Sequence, residues 1–305
     1  VLPIPTEITL SHDDTLNLKV DDESKINATL INATGSLSYE SSNESIVSVN
    51  PTTGELVANG NGTATITVRY AGNVQIAPCN KTVTITVTKH DTKTEVTTGK
   101  DLSLKVDETS QITAGVNVTG ASLIYESSNP SVVSVDENGL ITAKANGTAV
   151  ITVRYAGDRK YLNSSDTINV AVSKYDTNII LESESQITLN VFDDSQINAH
   201  LNFPEAGVIT YDSSNSSVVT VDSTGKITAV AGGCANITLS VAGNAKYAPA
   251  EVNVTVTVKK LPSIITAQNL TLDVDEEKTI TATVTDGTLR FVSCDESIAT
   301  VNATT

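Results

Sequence analysis

Thirteen asparagines stand two residues ahead of a serine or threonine with no proline between, the arrangement in which a side-chain amide can accept an N-linked glycan. They are Asn27, Asn32, Asn43, Asn61, Asn80, Asn117, Asn146, Asn163, Asn215, Asn236, Asn253, Asn269 and Asn302. Roughly six would arise by chance among the 25 asparagines of a chain this rich in Ser and Thr, so the sequons are in about twofold excess. Asn27, Asn117, Asn236, Asn253 and Asn269 are expected inside strands, on the polar, outward parity. A reading without glycans competes, because outward strand positions favour Asn and Thr in any case.

Other chemistry has less support. Acidic turns at "VDDES" from Val20, "VDETS" from Val106 and "VDEEK" from Val274 lack the converging oxygens and glycine-bearing loop that calcium requires, and read as solvated turn charge. Asp91 and Asp176, at the junctions between modules, are weaker candidates for an ion that bridges neighbouring modules. An isopeptide cross-link needs a lysine and an Asn or Asp buried together beside an acid, whereas Lys19, Lys105, Asn190 and Asp273 share one outward position. No HExxH, GxSxG or P-loop spacing occurs, and no enzymatic activity, cofactor or metal is expected.

These residues must be positioned by a repeated element. "YESSNESIVSVNPTTG" from Tyr39, "YESSNPSVVSVDENG" from Tyr125 and "YDSSNSSVVTVDSTG" from Tyr211 are versions of one phrase, with Ser41, Ser127 and Ser213 spaced 86 residues apart. That period is the length of a domain rather than of a solenoid coil. The pattern divides the chain into modules at 1–89, 90–174 and 175–260, with 261–305 the front of a fourth. Val1 and the opening "VLPIPTEITL" read as a processed start after a removed secretion signal. The break inside a fourth module points to a longer protein, and also to completion of that module by strands of another subunit, with "VLPIPTEITL" as one candidate strand.

Cys79, Cys234 and Cys294 fall in different modules, so no module holds an internal disulfide, and the odd number leaves a thiol free or paired between chains. Cys234 aligns with Thr63 and Thr148, and Cys294 with Ser42, Ser128 and Ser214; both replace outward polar residues. Tyr70, Tyr155, Tyr161 and Tyr247, at or near the "YAG" turn, read as core caps with solvated hydroxyls.

Within a module, alternation argues for strands. Ala64, Ile66, Val68 and Tyr70 fall on one face, with Thr63, Thr65, Thr67 and Arg69 on the other. Turn signals such as "PTTG", "ENG" and "GNG" separate such segments, and no stretch has sustained helical periodicity. Six or seven short antiparallel strands per module predict an all-β chain of tandem immunoglobulin-like Greek-key β-sandwiches, with a core of Val, Ile and Leu because Trp is absent. Short linkers near "TKHD", "SKYD" and "VKKLP" predict an extended array.

The "LKVDE" opening, the "SSNPSVVSVDENGLITAKANGTAVITV" centre and the Val-rich last strand resemble the group 2 bacterial Ig-like domain. The resemblance covers three modules, with a remnant from Ser297 to Val301. It implies an adhesin, stalk or other surface protein of the kind found in bacteria and methanogenic archaea, and no particular ligand. Formal charge of −16 argues against nucleic acid and anionic membranes, and no apolar run is long enough to span a bilayer. The expected role is a non-enzymatic extracellular component of a cell-surface fibre or layer, self-associating and N-glycosylated; the alternative is the stalk of an adhesin whose binding tip lies elsewhere.

Overall fold

A computed structural model describes residues 2–303, whose regular elements are β-strands apart from one 3-10 turn at Pro204–Ala206. Val1, Thr304 and Thr305, where the sequence places the processed start and the break in the fourth module, lie outside the described residues. Two compact units adjoin in sequence at Tyr175 and Asp176.

The first module shows the plan. Its strands are β1 (Glu7–Leu10), β2 (Thr15–Lys19), β3 (Glu23–Lys25), β4 (Ala28–Ile31), β5 (Ser38–Ser41), β6 (Val47–Val49), β7 (Glu55–Ala58), β8 (Gly62–Tyr70) and β9 (Cys79–Thr88). One layer is the sheet β2-β9-β8-β5; the opposing layer consists of β3-β7-β6 and the pair β1-β4. The chain passes between layers at β1 to β2, β2 to β3, β4 to β5, β5 to β6 and β7 to β8, and from β3 onward this is the Greek-key order of an immunoglobulin-like sandwich. The second module repeats the large sheet with Asp101–Lys105, Ser164–Ser173, Gly147–Tyr155 and Ile124–Ser127. The third does so with Gln186–Asn190, Ala250–Lys259, Gly233–Val241 and Thr210–Ser213.

The strand pattern differs from expectation in two ways. Each full module has nine strands, because its first two sequence segments both break midway and change partners: β3 pairs with β7, but after Ile26 and Asn27 the chain continues as β4 and pairs with β1. Pairing is also not wholly antiparallel. After β1 the chain crosses at Ser11–Asp14 to edge the other layer, where β2 runs parallel to β9, with Thr15 opposite Thr84 and Lys19 opposite Thr88.

Alternation along β8 holds: Ala64, Ile66, Val68 and Tyr70 are buried, while Thr63 and Arg69 are exposed. Beside them on the same inward face are Val83, Ile85 and Val87 of β9, and Leu56 of β7 comes from the opposing layer, all buried. Each such aliphatic side chain contributes about 1.5–3 kcal/mol on leaving water. The glycine of "PTTG", "ENG" and "STG" is fixed by packing. Gly54, Gly139 and Gly225 have φ of 71°, 80° and 82°, and a Cβ there would come within 2.9 Å of the ring of Tyr39, Tyr125 or Tyr211.

The repeated serine-rich phrase builds one turn three times. Ser41, Ser127 and Ser213 each donate their hydroxyl to the carbonyl six residues on, at Val47, Val133 and Val219, over 2.7, 2.6 and 2.6 Å. The next serine caps the strand edge: Ser42, Ser128 and Ser214 Oγ accept the N–H of Thr65, Val150 and Asn236. In the 261–303 segment Ser293 makes the first bond, to Ala299, and Cys294 stands at the second position. That segment pairs Ile265–Ala267 with Ala282–Val284, and no described strand takes the place of β8 and β9. Val274, matching the buried Val20 and Val106, is therefore 93% exposed.

Candidate functional site

All thirteen sequon asparagines are exposed. They differ in what holds the side chain. Asn43 and Asn215 form local turns, each Oδ1 accepting both the N–H and the hydroxyl of the serine two residues on, Ser45 and Ser217. The same turn forms at Asn129, where Pro130 removes the sequon, and at Asp295, which has no amide to modify. The turn thus accounts for an Asn or Asp at this place without a glycan.

Three of the five strand expectations need correction. Asn27 lies at the break between β3 and β4, Asn117 just beyond Ala114–Val116, and Asn269 beyond Ile265–Ala267. At Asn27 the chain is changing partners, and Asn117 uses its Oδ1 to accept the Lys93 N–H (2.8 Å), which ends the pairing. Asn32, with φ of 58°, is in the left-handed turn conformation that asparagine tolerates. Asn80 is on β9, opposite Arg69. Asn61 and Asn146 directly precede β8 and its counterpart, Asn163 precedes Ser164–Ser173, and Asn302 lies outside any strand.

Asn236 and Asn253 do lie in strands, and they face each other's sequons. In the third module Asn236 is opposite Thr255 and Thr238 is opposite Asn253. Thr255 donates its hydroxyl to Asn236 Oδ1 (3.0 Å), and Thr238 donates to Asn253 Oδ1 (2.7 Å). Two acceptor motifs therefore satisfy one another on one outward face, a relation that linear spacing does not reveal. Cys234 is on the same strand and the same parity, with its Sγ 3.7 Å from Thr257 Oγ1. Cys234 and Cys294 are exposed, while Cys79 is half-buried against the first core.

The acidic turns are built for the backbone. Asp21, Asp107 and Asp275 take left-handed φ of 70°, 70° and 63°, and the following acid caps the turn: Asp22, Glu108 and Glu276 accept the N–H of Lys19, Lys105 and Asp273. Among the described residues no group of three or more His, Cys, Asp or Glu is placed to hold a metal. Lys19 and Lys105 point outward and donate to the backbone carbonyls of Lys89 and Lys174. Asp91 sits 3.3 Å from Lys19, and the Asp176 carbonyl accepts from Asn202. Tyr70 and Tyr155 are buried, with hydroxyls bonded to Asn73 and Asp158; Tyr161 and Tyr247 are half-buried.

A cluster that the sequence pattern misses joins the first two modules within the 1–175 unit. Arg159 donates from Nη2 to Asp21 Oδ1 (2.7 Å) and from Nη1 to the Asn59 carbonyl (2.7 Å). Lys160 Nζ is 3.2 Å from the other Asp21 oxygen, and His90 Nε2 is 2.9 Å from the Val20 carbonyl. The Arg159 hydrogen bond, outweighing desolvation, holds the Asp21 carboxyl below its ordinary range. The only sequence signal is "DRKY" at a loop where the neighbours read "NVQI" and "NAKY".

Residues 177–252 match the family model of the bacterial Ig-like domain (group 2), and residues 117–157 match that of the intimin immunoglobulin-like domain. A search of curated proteins gives no match. Among solved structures the chain is similar to mouse protocadherin-24 EC1-3, at 14% identity and a TM-score of 0.34, over 82% of this chain and 98% of that one. It is also similar to domains 1-6 of the surface layer protein SbsC, at 17% identity and a TM-score of 0.30, over 93% of this chain and 49% of that one. Sidekick-1 immunoglobulin domains 1-5 are similar at 12% identity and a TM-score of 0.30, over 83% of this chain and 58% of that one.

Proposed function

We infer, from a chain that carries tandem bacterial Ig-like domain repeats, that it is a non-enzymatic structural component of a fibre or layer on the outside of a cell. In this reading the modules are 1–89, 90–174 and 175–260 with 261–305 opening a fourth, and they self-associate. Some of the outward sequons carry N-glycans, which shield β surfaces from proteases and from edge pairing. The observation that carries the reading is that each module spends its distinctive residues on rebuilding one turn and one aliphatic core, and places its sequon asparagines on the exposed surface. Repetition of that kind makes length and surface rather than a pocket for chemistry.

Electron microscopy of material taken from the native cell surface tests it. Ordered filaments or sheets, with a bead about every 40 Å along the chain direction as strands of six to eight residues plus loops require, are the expected result. Single flexible beaded rods would replace the reading with that of an adhesin stalk.

A further inference from the structure

The loop after the "YAG" turn, which reads "VAG" in the third module, has one backbone design in three modules and a different tip in each. Asn73 Oδ1 accepts the N–H groups of Gln75 and Ile76, Asp158 Oδ1 those of Lys160 and Tyr161, and Asn244 Oδ1 those of Lys246 and Tyr247. The incoming chain bridges to that loop in the same way at Ile4 with Ile76 and at His90 with Tyr161. Val74, Arg159 and Ala245 are thus equivalent tip residues on equivalent loops. Val74 is 96% exposed. Arg159 instead reaches the end of the preceding module, where the Asp21 carboxylate and the Asn59 carbonyl receive both arms of its guanidinium.

The receiving end is fixed before the loop arrives. Asp21 occupies the left-handed position of a turn closed by Asp22 N–H to the Lys19 carbonyl (3.0 Å) and by Lys19 N–H to the Asp22 carboxylate (2.7 Å). Its own N–H is held by the Ala58 carbonyl (2.7 Å). A carboxylate and a backbone carbonyl, both anchored to the sandwich, form a seat for a planar two-armed cation. Lys160 adds a second charge, and Lys89 donates back to the Asp158 carbonyl.

We propose that the Asp21 turn is a seat selective for a cationic loop tip, so that Arg159 latches the angle between the first two modules and rising ionic strength releases it. The seat and tip are half-exposed, with side chains 39% and 59% accessible, so screening reaches them. The latch operates equally in a fibre subunit and in a stalk, and does not depend on which of these the protein is.

Distance distributions between spin labels test this in the full chain, with the three native cysteines changed to serine and labels at Glu55→Cys and Glu137→Cys. The expected wild-type distribution is narrow at 50 mM salt and broad at 1 M, where the screening length falls to about 3 Å. Arg159→Val installs the residue that the first module carries at the same place, so the fold tolerates it; it should broaden the distribution at low salt and remove most of the salt response. Asp21→Asn, which removes the charge of the seat and suits the left-handed turn, should broaden it as well and weaken the salt response. A distribution in Arg159→Val or in Asp21→Asn as narrow as the wild type's at low salt overturns the proposal.

Discussion

Lys81 stands 2.9 Å from Asp14 in the first module, and at the matching places of the second the charges are exchanged, Lys100 pairing with Asp166. Each pair ties the residue just before the parallel edge strand to the start of the last strand, and the attraction survives the exchange because only the product of the charges enters it. The third module has Ser185 and Val252 there and no ion pair. Asp166 does more than its counterpart, because its Oδ2 also accepts the Val96 N–H (2.8 Å) and so ties strand Thr94–Val96 to the other layer.

The first prediction follows from that carboxylate. The Lys100 hydrogen bond, followed by the Val96 N–H, lowers Asp166 to about 2 from an ordinary 3.8. A depressed folded value means that its stabilisation is present in full above the ordinary value and is lost as pH falls from about 4 towards 2. Asp166→Asn should cost about 1–2 kcal/mol at pH 7, only a small part of that at pH 2, and nothing once the pH is well below the folded value. Urea unfolding of the two proteins across that range measures the converging curves; parallel curves would show that Asp166 is not the group concerned.

Gly139 offers a second test. A Cβ there meets the Tyr125 ring at 2.9 Å, and φ of 80° is unfavourable for any L side chain. Gly139→Ala should cost about 2–4 kcal/mol, combining left-handed strain with overpacking. Gly120 has a similar φ, 73°, and open space around it, so Gly120→Ala should cost only the backbone part, about 1–2 kcal/mol. Comparison of denaturation midpoints separates the two contributions.

Phe192 is predicted to be a local liability. It holds the place of Asp21, Asp107 and Asp275, yet it is a bulky residue at φ 74° and 79% exposed. Phe192→Gly should raise stability by about 1 kcal/mol, since the substitution relieves a conformation that costs non-glycine residues 1–2 kcal/mol and removes little packing. A lower melting temperature for the variant would show that the ring is held by contacts that outweigh the strain.

The facing sequons of the third module separate a structural role from an acceptor role. In protein made without glycosylation, Thr255→Val removes one exposed hydrogen bond and should change stability by no more than about 0.5 kcal/mol. In protein from the native source the same change should abolish any glycan at Asn253 and leave Asn236 as an intact motif. Peptide mass spectrometry of both sites gives the result; unmodified Asn253 in the wild type would leave the threonine ladder as the whole purpose of the pair.

Much of the architecture is legible in the sequence because it rests on period-two alternation and on turn chemistry repeated at a fixed interval. Ala64, Ile66 and Val68 are placed in the core by parity alone, and their burial bears that out. The parallel edge strand is not, since "TLNLK" alternates identically whichever neighbour it joins. The break at Asn27 is hidden for a related reason: alternation runs unbroken through Ile26, Asn27 and Ala28 while the backbone changes partner. Arg159 and Asp21 lie 138 residues apart, and such a pairing leaves no local trace beyond two unusual charges in one loop.

The parallel pairing of β2 with β9 has a mechanical consequence. The chain enters the large sheet of the first module along β2 and leaves it along β9, side by side and pointing the same way from Thr15 to Lys19 and from Thr84 to Thr88. Tension applied between the two ends therefore slides these strands past each other and loads their bonds together, in shear, instead of peeling them one at a time from an open end. The second and third modules place Asp101–Lys105 and Gln186–Asn190 in the same relation to their last strands, so each sandwich along the chain resists a pull by the same means.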